Sequence, residues 1–165
     1  MNVYKKAKRK SALLFVCGGL AIAVCLALIG FIAYILVLRT DYKETCLEIN
    51  DMIVASPSDR NFVVRDGETY PLSEEALNWY DQIFLDRKAV VMNRKEAEPD
   101  KNSIVLLISD CTLTLTGQDD GTAFAMCWET PDGVKHYQVR STNYTFTSMN
   151  SYLKSYLKRF STQSE

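Results

Sequence analysis

The chain has 165 residues, 47% of them hydrophobic and 24% charged, and a net charge of −1. This composition excludes a disordered chain, a collagen, a repeat array and a disulfide-dense mini-domain. The net charge hides a division: Lys5, Lys6, Lys8, Arg9, Lys10 and Arg39 give the first 39 residues six positive charges and no acid, while 13 basic against 20 acidic residues leave the rest at −7. An acidic tail argues against nucleic acid as a partner, because a phosphate backbone calls for a basic face.

Residues 1–11 form a basic head, too short to fold or carry a site. Ala12 to Leu38 follows as 27 residues without a charge, where about 20 span a hydrocarbon core. A cleaved signal peptide has an apolar core of about 7–15 residues ending in a small-x-small site. Here the run continues through Ile35, Leu36, Val37 and Leu38, so 12–38 reads as a retained transmembrane signal anchor. Cys17 and Cys25 each follow a Val, not the small residue of a lipobox. The basic head places the N-terminus in the cytoplasm and the tail on the far side of the cell membrane, a single-pass protein with an extracytoplasmic domain. Gly19, Ala23 and Ala27 recur every four residues on one helix face, the spacing at which two membrane helices pack closely.

Residues 39–60 read as a juxtamembrane helix and linker. Tyr42, Cys46, Ile49 and Ile53 make an a/d stripe that packs on the chain's own domain or contributes to a homodimer. Ala55 to Arg60 is the linker. The domain proper is expected over 61–161, with 162–165 as a tail. Asp66-Gly67 is a two-residue hairpin turn that sets Arg65 opposite Glu68, and Pro71 ends the second strand. Ser73 is an N-cap followed by Glu74 and Glu75, and the apolar positions Ala76, Leu77, Tyr80, Ile83, Phe84, Val90 and Val91 extend a helix to about Asn93.

The period then changes from helical to two. Ile104, Leu106 and Ile108 alternate, then Cys111, Leu113 and Leu115, with a bulge or tight hairpin at Ser109-Asp110. Strands follow over Thr122–Glu129 and Val134–Ser141, joined by the turn Thr130-Pro131-Asp132-Gly133. A loop centred on Asp119 pairs Thr116 with Thr122, Leu113 with Ala125 and Cys111 with Cys127. A three-residue turn closing at Gly133 pairs Glu129 with Lys135 and Trp128 with His136. Phe146, Met149, Leu153, Tyr156 and Phe160 make the stripe of a closing helix. The fold class is α+β: a membrane helix, then an antiparallel meander packed by helices. The order of elements resembles cystatin-like and NTF2-like domains, the latter including membrane-anchored subunits of bacterial secretion channels; the likeness is one of element order alone.

Chemistry is sparse. The expected register makes Cys111 and Cys127 a cross-strand disulfide, the other reading being two buried thiols; Cys46 is then an odd cysteine able to link two chains. His136 is the single histidine and no CxxC occurs, so no metal is expected. GQDDG around Asp119 and Asp120 supplies two acids where calcium needs six or more oxygens, and reads as a turn. No GxSxG, P-loop, GxGxxG or HExxH occurs, and no cofactor is expected. Asn143-Tyr144-Thr145 is a glycosylation sequon. The abundant aromatics place an exposed partner-binding patch at Phe124, Met126 and Trp128, unless the sheet is inverted and these three are core. The expected function is a non-enzymatic, membrane-tethered binding or assembly domain with a protein partner or a second copy. The alternative is a small envelope-acting enzyme using Asp110 and His136.

Overall fold

The computed structural model describes residues 2–84, 89–118 and 121–161, and the side chains of 16–57, 59–83, 89–118 and 121–160. The expected Asp119-Asp120 turn, the part of the first domain helix expected over 85–88 and the 162–165 tail lie outside the described residues. The chain divides into two compact units, Met1–Val37 and Leu38–Glu165.

The first unit holds the N-terminal part of helix α1 (Asn2–Ala55), the basic head together with the apolar run. Residues 16–34 are all exposed within the chain. The helix is long and apolar enough to cross a membrane, and its most apolar stretch buries nothing inside the protein.

The second unit begins at Leu38, so the juxtamembrane helix belongs to the domain. Leu38, Tyr42, Cys46, Ile49 and Ile53 return every three or four residues and are buried in the domain core. After α1 come a short 3₁₀ turn (Ser58–Arg60), β1 (Asn61–Arg65), β2 (Glu68–Pro71), α2 (Glu74–Phe84) and β3 (Val90–Asn93). They are followed by β4 (Ile104–Ile108), β5 (Cys111–Gln118), β6 (Ala123–Thr130), β7 (Gly133–Arg140) and α3 (Phe146–Ser161). The strands form one antiparallel sheet in the order β2-β1-β4-β5-β6-β7-β3, an α+β arrangement.

Local chemistry explains most boundaries. Asp66 and Gly67 adopt φ of 53° and 82° in the β1–β2 turn, which pairs Arg65 with Glu68. Ser73 Oγ accepts from Ala76 N–H at 3.2 Å and caps α2. The parity change at Ser109-Asp110 is a tight hairpin, with Ile108 opposite Cys111 and Ser109 at φ 55°. One expected helix does not reach Asn93: α2 is described as far as Phe84, and Val90 and Val91 pair with Arg140 and Val139 of β7 instead. Side chains branched at Cβ suit a pleated edge better than a helix end.

Both expected registers are corrected. Leu113 lies opposite Trp128 and Thr116 opposite Ala125, because β5 continues through Gly117 and Gln118. Thr130 lies opposite Gly133, and Glu129 opposite Val134, because Pro131-Asp132 is a two-residue turn. Each correction is an odd number of residues, so each moves side chains to the other sheet face.

Candidate functional site

The register sorts the sheet into two unlike faces. One carries Val63, Leu106, Leu113, Leu115, Phe124, Met126, Trp128, Tyr137 and Val139, all buried in the core with the stripes of α1, α2 and α3. Phe124, Met126 and Trp128, expected as a partner surface, are 1%, 1% and 0% exposed. They oppose Gly117, Leu115 and Leu113 and belong to the core, not to a binding patch.

Two polar clamps hold α1 on this face. Glu48 accepts from Trp128 Nε1 and from Lys135 Nζ, each at 2.9 Å. The ion pair expected between Glu129 and Lys135 is therefore replaced by Glu48–Lys135. Burial pulls the Glu48 carboxyl upward, but the hydrogen bonds from Lys135 and Trp128 outweigh it and hold the group below its ordinary value. The second clamp gathers Asp41, Tyr137, Thr45 and Arg94: Tyr137 O–H donates to Asp41, Thr45 Oγ1 lies 3.0 Å from the Tyr137 oxygen, and Arg94 pairs with Asp41 at 2.8 Å. Burial, then the Asp41 carboxylate, push the Tyr137 hydroxyl upward.

The other face carries no helix among the described residues. The connection from β3 to β4, residues 94–103, passes three intervening strands. Its two ends are fastened on this face. Asn93 Nδ2 donates to Gln138 Oε1 at 2.8 Å, and Ser103 Oγ lies 3.0 Å from Thr116 Oγ1. Asn93, Gln138, Ala125 and Thr116 form one row across the sheet. The small buried side chains Ala123, Ala125, Thr114 and Thr116 match a chain segment crossing close above them.

Two further rows on the same face are bare of any helix among the described residues. One runs Pro71, Phe62, Leu107, Thr112, Glu129, Val134. The other runs Thr69, Val64, Val105, Thr114, Cys127, His136, with Thr114 in it buried. Phe62, Val64, Val105 and Leu107 are half-buried side by side, and Val134 is 54% exposed. The solvent face of an antiparallel sheet is ordinarily polar; this one is apolar over β1 and β4. The sequence held a signal for it: Ile104-Val105-Leu106-Leu107-Ile108 is apolar at every position, the pattern of a strand covered on both faces, and reading only its even positions hid Val105 and Leu107.

The cysteine and histidine expectations are resettled by the same register. Cys111 opposes Ile108 and Cys127 opposes Thr114, on different faces, so the expected disulfide does not form and both thiols are free. Cys46 is free and 3% exposed in the core, with burial pushing its thiol up to about 12, which removes it from any chain-to-chain link in the folded state. Cys127 stands directly opposite His136. Burial and the carboxylates of Glu129 and Glu96 push its thiol up to about 11; a nucleophilic cysteine has the opposite shift. Asp110 sits in the β4–β5 turn, four residues along β5 from Thr114, whose row holds His136 two strands away. That is about 13 Å along the strand alone, so Asp110 and His136 are not brought together. Gly19, Ala23 and Ala27 are exposed on α1, and a side chain at Gly19 would meet open space. A shallow cleft of about 320 Å³ lies between the end of α1 and α2, lined by Ser56, Asn61, Glu74 and Asn78 with Ile53, Val54 and Leu77. The Asn61 amide serves the local fold there, accepting from Ser56 Oγ at 2.7 Å and donating to the Pro57 carbonyl at 3.1 Å.

No family model, curated protein or solved structure matches this chain.

Proposed function

We propose that this chain is a membrane-tethered domain that binds a protein partner in an envelope complex, without catalysis of its own. The N-terminus lies in the cytoplasm, and the unit from Leu38 onward lies outside. The observation that carries the reading is the half-buried apolar strip of Phe62, Val64, Val105 and Leu107, on the sheet face that bears no helix among the described residues, in a domain whose other face packs against three helices. Apolar patches of this kind mark interaction sites, and a membrane tether raises the local concentration of the domain at the membrane surface. The exposed Gly19, Ala23 and Ala27 face of α1 supports a companion helix within the membrane. A cystatin-like or NTF2-like domain belongs to this proposal and rests on element order alone.

A photo-crosslinking residue in place of Leu107, in the full chain in its native cells, tests the reading. The expected result is one discrete adduct, absent when the same residue replaces the exposed Lys154 of α3. No adduct at Leu107, together with a monomer in detergent, overturns it. Orientation is read by placing a single cysteine at the exposed Ser155 in a chain whose other cysteines are serine. An impermeant maleimide labels it in intact cells if the domain is outside, and only after permeabilisation if it is not.

A further inference from the structure

The bare face has a charge as well as a shape. Its apolar rows end where the β1, β4, β5, β6 and β7 termini meet, and that end is acidic. Asp59 precedes β1, Asp110 lies in the β4–β5 turn, Asp132 in the β6–β7 turn and Glu129 in the bare row itself; all four are exposed. The Arg60 carbonyl accepts from Ser109 N–H at 3.2 Å, which brings the Asp59 segment beside the Asp110 turn. Burial, then the carboxylates of Glu48, Asp110 and Asp132, push the Cys111 thiol upward, and burial, then Glu129 and Glu96, push that of Cys127. Against these, Arg60 is the exposed base at this end among the described residues. Lys135 is engaged by Glu48 on the opposite face, and Arg94 by Asp41. The crossing segment adds Lys95 and Lys101 but also Glu96, Glu98 and Asp100.

A second copy of this chain would bring the same acids against these, and like charges brought together across an interface are costly. A partner with apolar anchors flanked by lysine or arginine instead meets opposite charge at the rim and apolar surface at the centre. We infer that the bare sheet face of Phe62, Val64, Val105 and Leu107, rimmed by Asp59, Asp110, Glu129 and Asp132, receives a basic amphipathic segment of a different protein. The inference rests on the proposed binding role of this face and adds the chemistry of what it binds.

The test uses the full chain in detergent and two labelled probes: a short peptide alternating leucine and lysine, and its counterpart alternating leucine and glutamate. Fluorescence anisotropy is expected to show binding of the lysine peptide only, weakening as salt rises from about 0.05 to about 0.5 M. Asp110→Asn with Glu129→Gln and Asp132→Asn removes three exposed charges and is expected to weaken binding roughly tenfold. Neutralising three exposed acids on the helices, Glu44, Asp51 and Glu74, leaves affinity unchanged. All six acids are solvent-facing, and circular dichroism confirms that both triple variants are folded. Equal weakening by the two triple variants overturns the inference, because attraction is then a property of net charge and not of this face. Equal binding of both peptides overturns it as well. Failure of both peptides alongside a discrete adduct at Leu107 overturns the basic-partner chemistry and leaves the docking role standing, whereas failure of both with no adduct overturns the two together.

Discussion

Trp128 and Glu48 show how one contact carries several consequences. The indole is 0% exposed, and its N–H reaches Glu48 Oε1 at 2.9 Å. A buried donor without an acceptor costs about 1–3 kcal/mol, so Trp at this position requires an acceptor on the helix above it. Glu48 supplies that acceptor and pairs with Lys135 through its second oxygen. The side chains of the pair are 40% and 42% exposed, which places the ionic part within the surface range of about 0.2–1 kcal/mol. Glu48→Gln is therefore expected to lower stability by about that amount at neutral pH, and Glu48→Ala by about 1–3 kcal/mol more. The carboxyl is held below its ordinary value in the folded state. Its charge thus stabilises fully above the unfolded value of about 4.3, and that contribution is lost as pH falls through the lower folded value. Thermal melts of wild type and Glu48→Gln should converge in that acidic window; a gap that stays constant or widens there contradicts the assignment.

At the scale of elements, the approach of α3 to β5 requires a small residue at Gly117. A Cβ on Gly117 would lie 2.4 Å from Phe146 Cδ1, and Phe146 is the first residue of α3 and part of the core. Gly117→Ala is expected to cost about 1–3 kcal/mol by overpacking, and Phe146→Leu should cost less in that background than in the wild type. A denaturant titration of the four-member cycle checks it; strict additivity would mean that the two residues do not press on each other. The same glycine marks where sequence reading stopped short. Gly117 and Gln118 look like loop residues, yet both lie within β5, paired with Phe124 and Ala123. The α3 stripe, the Ser73 cap and the Asp66-Gly67 turn were legible because each depends on neighbours within a few residues. The end of α2 was not, because Val90 and Val91 become a strand by pairing with β7, some 50 residues away in the chain.

For the whole molecule, the domain includes the last third of α1. Leu38, Tyr42, Cys46, Ile49 and Ile53 are all under 7% exposed, and each buried side chain of this size is worth about 1.5–3 kcal/mol. Their sum is comparable to the about 5–15 kcal/mol net stability of a small domain. A fragment starting at Leu38 is expected to give a cooperative thermal transition, and one starting at Ser56 to lack it. A cooperative transition in the shorter fragment would show that the core closes without the helix.

Composition and local pattern alone determined the apolar span, the acidic tail, the α+β class and most of the elements, because periodicity, caps and turn residues act over a few positions. Only the tertiary structure decided the register, the order β2-β1-β4-β5-β6-β7-β3 and which side of the sheet is core. A side-chain period of two makes one extra strand residue or one fewer turn residue enough to exchange the faces. That exchange turned Phe124, Met126 and Trp128 inward and parted Cys111 from Cys127, while the pairing of β1 with β4 set Phe62, Val64, Val105 and Leu107 together on the other face. The candidate site was partly legible in the fully apolar run of β4. Its neighbours were not, because Phe62 and Leu107 meet only when strands distant in sequence pair.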